Sequence, residues 1–393
     1  MTKSSLQILT LPLTMKLLHT LWIVIFGMCL SAVADWIQPP LKTDAGYPVP
    51  TPDFTPQIPS AHGAHLGYSV EWWYWVGHLE AVDGRQFGFQ STVFRLEGAA
   101  KDIQPLLASA PFDNQQLFMA HLALSDLNSG TYTHAERVYR GGWQAQASTE
   151  TLDLKVGPII AHWDESTNSI EKKLALPEEH QLELRLKPLK PLVVFGERGL
   201  SRKGDEPAAV SWYWTYPRLE ISGTLIEGKQ RTEVSGIGWM DHEIASNHLA
   251  SDLAGWDWTA IQLDDGTEVK AYRLRTEAGE ANPWSNLYWI DAKGNTTHAY
   301  AKDLTWETGK LWKSDLTGNR YPTDVTIRAV HPKKGDEVVY SLKPLLPDQE
   351  FVGNQDSTTY WEGACTVFDE DRKRIGKAYL ELAGYSQKEQ KEL

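Results

Sequence analysis

Glu71-Trp72-Trp73-Tyr74-Trp75-Val76-Gly77 runs through Val82-Asp83-Gly84-Arg85 into Phe87-Gly88-Phe89. An aromatic run, an Asp-Gly pair and a second apolar run read as a strand, a tight turn and a returning strand. The pattern recurs at Trp256-Asp257-Trp258-Thr259-Ala260, Asp265-Gly266 and Val269-Lys270-Ala271-Tyr272, with the spacing changed by one residue. A repeat half a chain apart suggests two related barrels, although two hairpins can also match independently. Further turn signals stand at Asn128-Ser129-Gly130, Glu227-Gly228-Lys229 and Ala292-Lys293-Gly294-Asn295. Many short strands with regular turns predict an all-β chain of antiparallel barrels or sandwiches. Helical periodicity is sparse, and residues 97–118 and 239–255 are the expected places for short helices or long loops.

Working outward, the N-terminus reads as an address. Lys16 precedes the apolar run Leu17–Leu30, and Ala32-Val33-Ala34 supplies a small-x-small cleavage site before Asp35. This predicts a signal peptide over 1–34 and a periplasmic or secreted protein. The alternatives are an uncleaved anchor helix and a lipid anchor at Cys29, against which stands the bulky Met28. Residues 35–66, rich in Pro and His, read as an irregular entry segment. The expected barrels then occupy 67–240 and 241–393. With the signal removed Cys365 stands alone, so no intramolecular disulfide is expected. Cys365 lies in an apolar run and reads as a buried small residue. A net charge of −13 with no basic stripe argues against nucleic acid as a partner. The oligomeric state is not encoded in any visible pattern.

The chain holds 17 tryptophans, most in short clusters with Tyr and Gly. Such clusters line concave sites or fill barrel interiors. The cluster of greatest chemical interest is Ser235-Gly236-Ile237-Gly238-Trp239-Met240-Asp241-His242-Glu243. Alternate strand residues share a face, which groups Ile237, Trp239 and Asp241 and turns Met240 and His242 the other way. If the Asp241 face is interior, desolvation favours the neutral acid, which can protonate an alkene or activate water. The competing reading is a capping or turn aspartate.

In the opening run, parity groups Glu71, Trp73 and Trp75. Glu71 is then either a second polar group of the site or a structural partner for an arginine such as Arg95. Ser211-Trp212-Tyr213-Trp214-Thr215-Tyr216, Gly255-Trp256-Asp257-Trp258 and Tyr360-Trp361-Glu362-Gly363 are further aromatic runs, each also plausible as core. The loop Phe195–Pro207 lacks a phosphate-loop ending and reads as a flexible loop over a barrel mouth. No HExxH or Cys-rich spacing calls for a metal, and no cofactor fingerprint appears. No Gly-x-Ser-x-Gly elbow supports a serine hydrolase.

Taken together, Glu71-Trp72-Trp73-Tyr74, Gly199–Gly204, Ser211–Tyr216, Gly238–Glu243, Gly255–Trp258 and Tyr360–Gly363 resemble the AttH-like family in content and order. This family comprises exported lipocalin-like proteins, often labelled secreted hydrolases, and is related to carotenoid 1,2-hydratase. The resemblance implies two tandem lipocalin-like barrels. It also implies an aspartate acid at Asp241 that protonates an isoprenoid double bond before water adds. Trp239 stands where the hydratases carry tyrosine. In their upstream His-x-Trp pair Trp214 matches, while Trp212 takes the histidine position.

Two functional readings follow. In the first, an enzyme holds an apolar, isoprenoid-like ligand in an aromatic barrel interior. Asp241 is its acid, Trp239, Trp214, Trp256, Trp258 and Trp73 form the lining, and Tyr213 and Glu71 are secondary polar groups. In the second, a carrier binds a lipid or apolar metabolite of the envelope, beside an envelope transporter. A purely structural envelope protein is the remaining alternative.

Overall fold

The computed structural model describes residues 36–98, 116–247, 253–354 and 358–386. The expected signal peptide, Cys29, most of the 97–118 segment and the charged tail after Ser386 lie outside them. The described chain is almost entirely strand, with one-turn 3-10 helices at Ser60–His62 and Ala301–Asp303. Among the described residues of 239–255 there is no helix: the strand Gln230–Ala245 covers the start of that stretch and Leu253–Leu263 its end. Trp239, Met240, Ile244, Ala245 and Leu253 are all buried there, as paired strands require of apolar side chains on both faces.

Two antiparallel sheets of 13 and 10 strands each curl into a nearly closed barrel. In both, the first strand pairs with its hairpin partner on one side and with the last strand on the other. Val70–Ala81 lies between Gln86–Leu96 and Gln230–Ala245. Leu253–Leu263 lies between Glu268–Thr276 and Arg374–Leu382. The strand that closes the first barrel continues to Ala245, so a division at 240/241 cuts through it.

The repeated hairpins therefore occupy equivalent places, but their tryptophans do not. Trp73 and Trp75 point into the first barrel with Phe87, Phe89, Leu122 and Leu186. Trp258 faces outward, with Tyr74, Val76, Tyr213 and Trp239 of the first barrel. Aligned on the Asp-Gly turn, Trp256 and Trp258 match Tyr74 and Val76. A one-residue slip exchanges the faces of a strand, which accounts for the changed spacing.

The outer faces of the two barrels thus form a shared seam. Gly88 makes the close approach possible: a Cβ there would stand 2.9 Å from the Tyr379 hydroxyl and 3.0 Å from the Ala364 Cβ. Gln262 Nε2 donates to the Pro217 carbonyl at 2.9 Å and the Gly238 carbonyl at 2.8 Å. These carbonyls flank a bulge, where the register slips between Tyr216 and Leu219. A proline cannot donate to a ladder, so the bulge leaves an acceptor that the second barrel satisfies. His78 Nε2 meets the Ala378 carbonyl at 2.9 Å, tying the same seam.

Candidate active site

An aromatic-lined cavity of about 390 Å³ lies in this seam rather than inside either barrel. That volume suits a small organic ligand. Trp72, Tyr74, Phe94, Tyr213, Trp256, Trp258, Tyr272 and Tyr360 supply its aromatic lining. The expectation of an aromatic barrel interior as ligand site is corrected here. Each interior holds its own apolar cluster, the first together with the buried Glu71, Arg95, His242 and Lys172 side chains, and the outer faces make the hollow.

Asp241 lines the cavity and is nearly fully buried. Trp239 Nε1 donates to Oδ1 at 2.7 Å and the Tyr213 hydroxyl to Oδ2 at 2.6 Å. Trp258 Nε1 in turn donates to the Tyr213 oxygen at 3.1 Å. Burial raises the Asp241 pKa to about 7, despite the donated hydrogen bonds that favour the anion. An indole N–H can only donate, and Tyr213 already accepts from Trp258. Trp239 therefore cannot take the carboxyl proton, and the carboxyl itself lines the cavity.

Beside Asp241 on the same strand face, Glu243 pairs with Lys203 Nζ at 2.8 Å and accepts from Ser211 Oγ at 2.5 Å. Lys203 comes from the Gly199–Gly204 segment, so that loop supplies a cavity residue. Burial opposes the Lys203 charge, but Glu243, together with Tyr272 and Asp241, more than offsets it and raises its pKa. Behind Tyr213, Lys270 Nζ stands 3.8 Å from the centre of the Tyr272 ring and donates to Asn286 Oδ1 at 3.0 Å. Burial drives this amine well below its ordinary pKa.

The second barrel supplies the facing wall. Glu362 and Glu381 sit directly opposite each other on paired strands, and both reach the cavity. The Tyr74 hydroxyl donates to Glu362 Oε1 at 2.5 Å. Nearby, Tyr360 accepts from Gln90 Nε2 at 2.5 Å and meets His121 Nδ1 at 3.0 Å, whose Nε2 meets Glu136 at 3.1 Å.

Of the residues singled out from sequence, the structure brings together Asp241, Trp239, Tyr213, Trp256 and Trp258. It places Glu71, Trp73 and Trp214 on the other side of the sheet. Glu71 Oε2 accepts from Arg95 Nε at 2.9 Å, as the structural reading of Glu71 has it. Its Oε1 meets His65 Nδ1 at 2.9 Å and His242 Nε2 at 2.8 Å. Burial opposes ionisation of Glu71, but Arg95, His242 and His65 hold the carboxyl well below the usual range. Trp73 and Trp214 pack on the His242 ring at 4.9 and 5.0 Å between centroids. Trp212, at the hydratase histidine position, stacks on Phe54 at 4.0 Å, also away from Asp241.

His65, Glu71 and His242 bring ligand atoms within 4.8 Å of one another, which is a geometry that can hold a metal. The Glu71 oxygens are, however, already engaged by two imidazoles and a guanidinium. A cation there would have to displace those donors and sit beside Arg95, so the donor set fits a hydrogen-bonded cluster better than a metal centre. Sequence reading missed Tyr74, Glu362, Glu381, Lys203 and Glu243 as cavity residues. All but Glu381 stand in runs already singled out, and strand parity opposite to Trp73, or shared with Asp241, would have marked Tyr74 and Glu243.

No curated protein matches the sequence. Among solved structures, a protein from Nitrosomonas europaea described as AttH is similar over 86% of this chain and 99% of its own, at 29% identity and a TM-score of 0.75. Kievitone hydratase from Nectria haematococca shares the fold over 89% of this chain and 97% of its own, at 14% identity and a TM-score of 0.61. CghA bound to Sch210972 does so over 88% and 97%, at 12% identity and a TM-score of 0.52. The sequence profile of the AttH-like family matches residues 49–385, so this two-barrel chain belongs to the AttH-like family.

Proposed function

We propose that the chain binds an apolar, unsaturated small molecule in the seam cavity and that Asp241 protonates it, with water adding to the cation formed. The observation that carries this reading is a buried carboxyl in an aromatic cavity, held by two donors and raised to a pKa of about 7. A neutral acid at working pH supplies the proton. The faces of Trp256 and Trp258 stabilise positive charge developing beside them. The hydratase among the fold relatives supports the reaction class. The reading includes export directed by residues 1–34.

The test is incubation of the purified protein with kievitone and a panel of acyclic isoprenoid alkenes in ¹⁸O-water, followed by mass spectrometry. A labelled hydrate that disappears in Asp241→Asn, with folding intact by circular dichroism, is the expected result. Undiminished turnover by that variant overturns it. Carriage without chemistry is the second reading, and the largely apolar, aromatic lining of the cavity supports it. An unmodified lipid seen in native mass spectra, with no hydrate from any alkene, would establish carriage instead.

A further inference from the structure

The cavity contains a second carboxyl centre that the acid role of Asp241 does not use. Glu362 and Glu381 are cross-strand partners on Tyr360–Phe368 and Arg374–Leu382, so their side chains leave the same face side by side. Glu362 is 2% exposed, and its Oε2 has no hydrogen-bond partner among the described residues. Neither glutamate forms an ion pair with a described Lys or Arg. The groups around them are the phenols Tyr74, Tyr132, Tyr360 and Tyr379, the carboxylates Asp241, Glu243 and Asp257, and the Trp256 side chain, whose hydrogen bond to Glu381 favours the ionised form of that member of the pair. Asp257 is already matched by Arg273 and Arg275, and Glu243 by Lys203.

Two adjacent carboxylates with no cation cannot both ionise in such a wall, and one proton shared between them is the low-energy state. Burial and mutual repulsion agree with this, pushing Glu362 well above its ordinary pKa and Glu381 to about 7.

We propose that Glu362 and Glu381 share one proton as a dyad and act as the base facing Asp241, taking a proton from the water that adds to the substrate. This rests on the hydration reading above. The π pair of the alkene forms a C–H bond as the Asp241 O–H bond breaks, leaving a cation on the neighbouring carbon. A water lone pair forms the C–O bond, and one water O–H bond breaks as its proton passes to the ionised oxygen of the dyad. One proton has then moved from Asp241 to the pair, and solvent returns it between turnovers.

Sharing and catalysis are tested separately. In the Asp241→Asn background, infrared carboxyl bands are titrated with Glu362→Gln or Glu381→Gln added. Either addition should remove the upper of two titration steps and leave one step at an intermediate pH. If each glutamate keeps its own midpoint when the other is gone, sharing is overturned. For catalysis, alkenes that the protein hydrates are recovered from heavy water. Asp241→Asn should lose both hydrate and deuterium exchange. Glu362→Gln should lose hydration at least tenfold more than exchange, because protonation survives and capture of water fails. Equal loss of both, or undiminished hydration, overturns the dyad as base. Wild-type hydrate without deuterium on the carbon beside the new C–O bond, or undiminished deuterated hydrate from Asp241→Asn, overturns Asp241 as the acid and with it the base role, while the titration still decides whether the proton is shared.

Discussion

Asp241 is tuned by opposing effects of known sign. Burial favours its neutral form, and the hydrogen bonds from Tyr213 and Trp239 favour the anion. Tyr213→Phe removes one bond to the anion, so the Asp241 pKa should rise rather than fall. A hydrogen bond to a charged group contributes about 1.5–3 kcal/mol, so the shift should be about one unit or more. Carboxyl ¹³C shifts across a pH titration would read it, and an unchanged midpoint would show that Tyr213 does not hold the anion. In the proposed hydration the same sign applies: the acid form is present below about pH 7 and lost above it, so turnover should fall as pH rises through that value. Stability follows too, since the folded state holds the Asp241 proton over a range where the unfolded state has released it. This contribution to stability declines between the ordinary aspartate pKa and about 7.

At the scale of the strand, alternation was readable and the direction of each face was not. Parity correctly groups Trp239 with Asp241, and Glu71 with Trp73. Nearly every residue of Val70–Ala81 is buried, however, because one face packs the first barrel and the other packs the seam. A strand apolar on both sides carries no mark of which side holds a ligand. For this reason Glu71, Trp73 and Trp214 read as site residues while Tyr74 did not. The bulge at Pro217 was equally hidden, since its satisfaction depends on Gln262 some forty-five residues away. Gln262→Leu should leave two buried carbonyls without that donor and destabilise the protein by about 2 kcal/mol or more. Urea unfolding would measure this, and a change within error would mean the carbonyls find other partners.

For the whole molecule, the repeat in the sequence correctly announced two barrels, and the family motifs announced their kind. Their arrangement was not legible, because the seam contacts join residues hundreds of positions apart, such as Tyr74 with Glu362 and His78 with Ala378. The seam buries large side chains from both barrels, including Tyr213, Trp239, Trp258 and Tyr379. Unfolding of one barrel would expose the seam face of the other. Scanning calorimetry should therefore show one cooperative transition, and two well-separated transitions would show that the seam does not couple them.

The cavity belongs to neither barrel by itself. The first contributes Asp241 and the second contributes Glu362 and Glu381. Because this hollow lies between two separately packed cores, its wall can change by substitution while each core keeps its own packing.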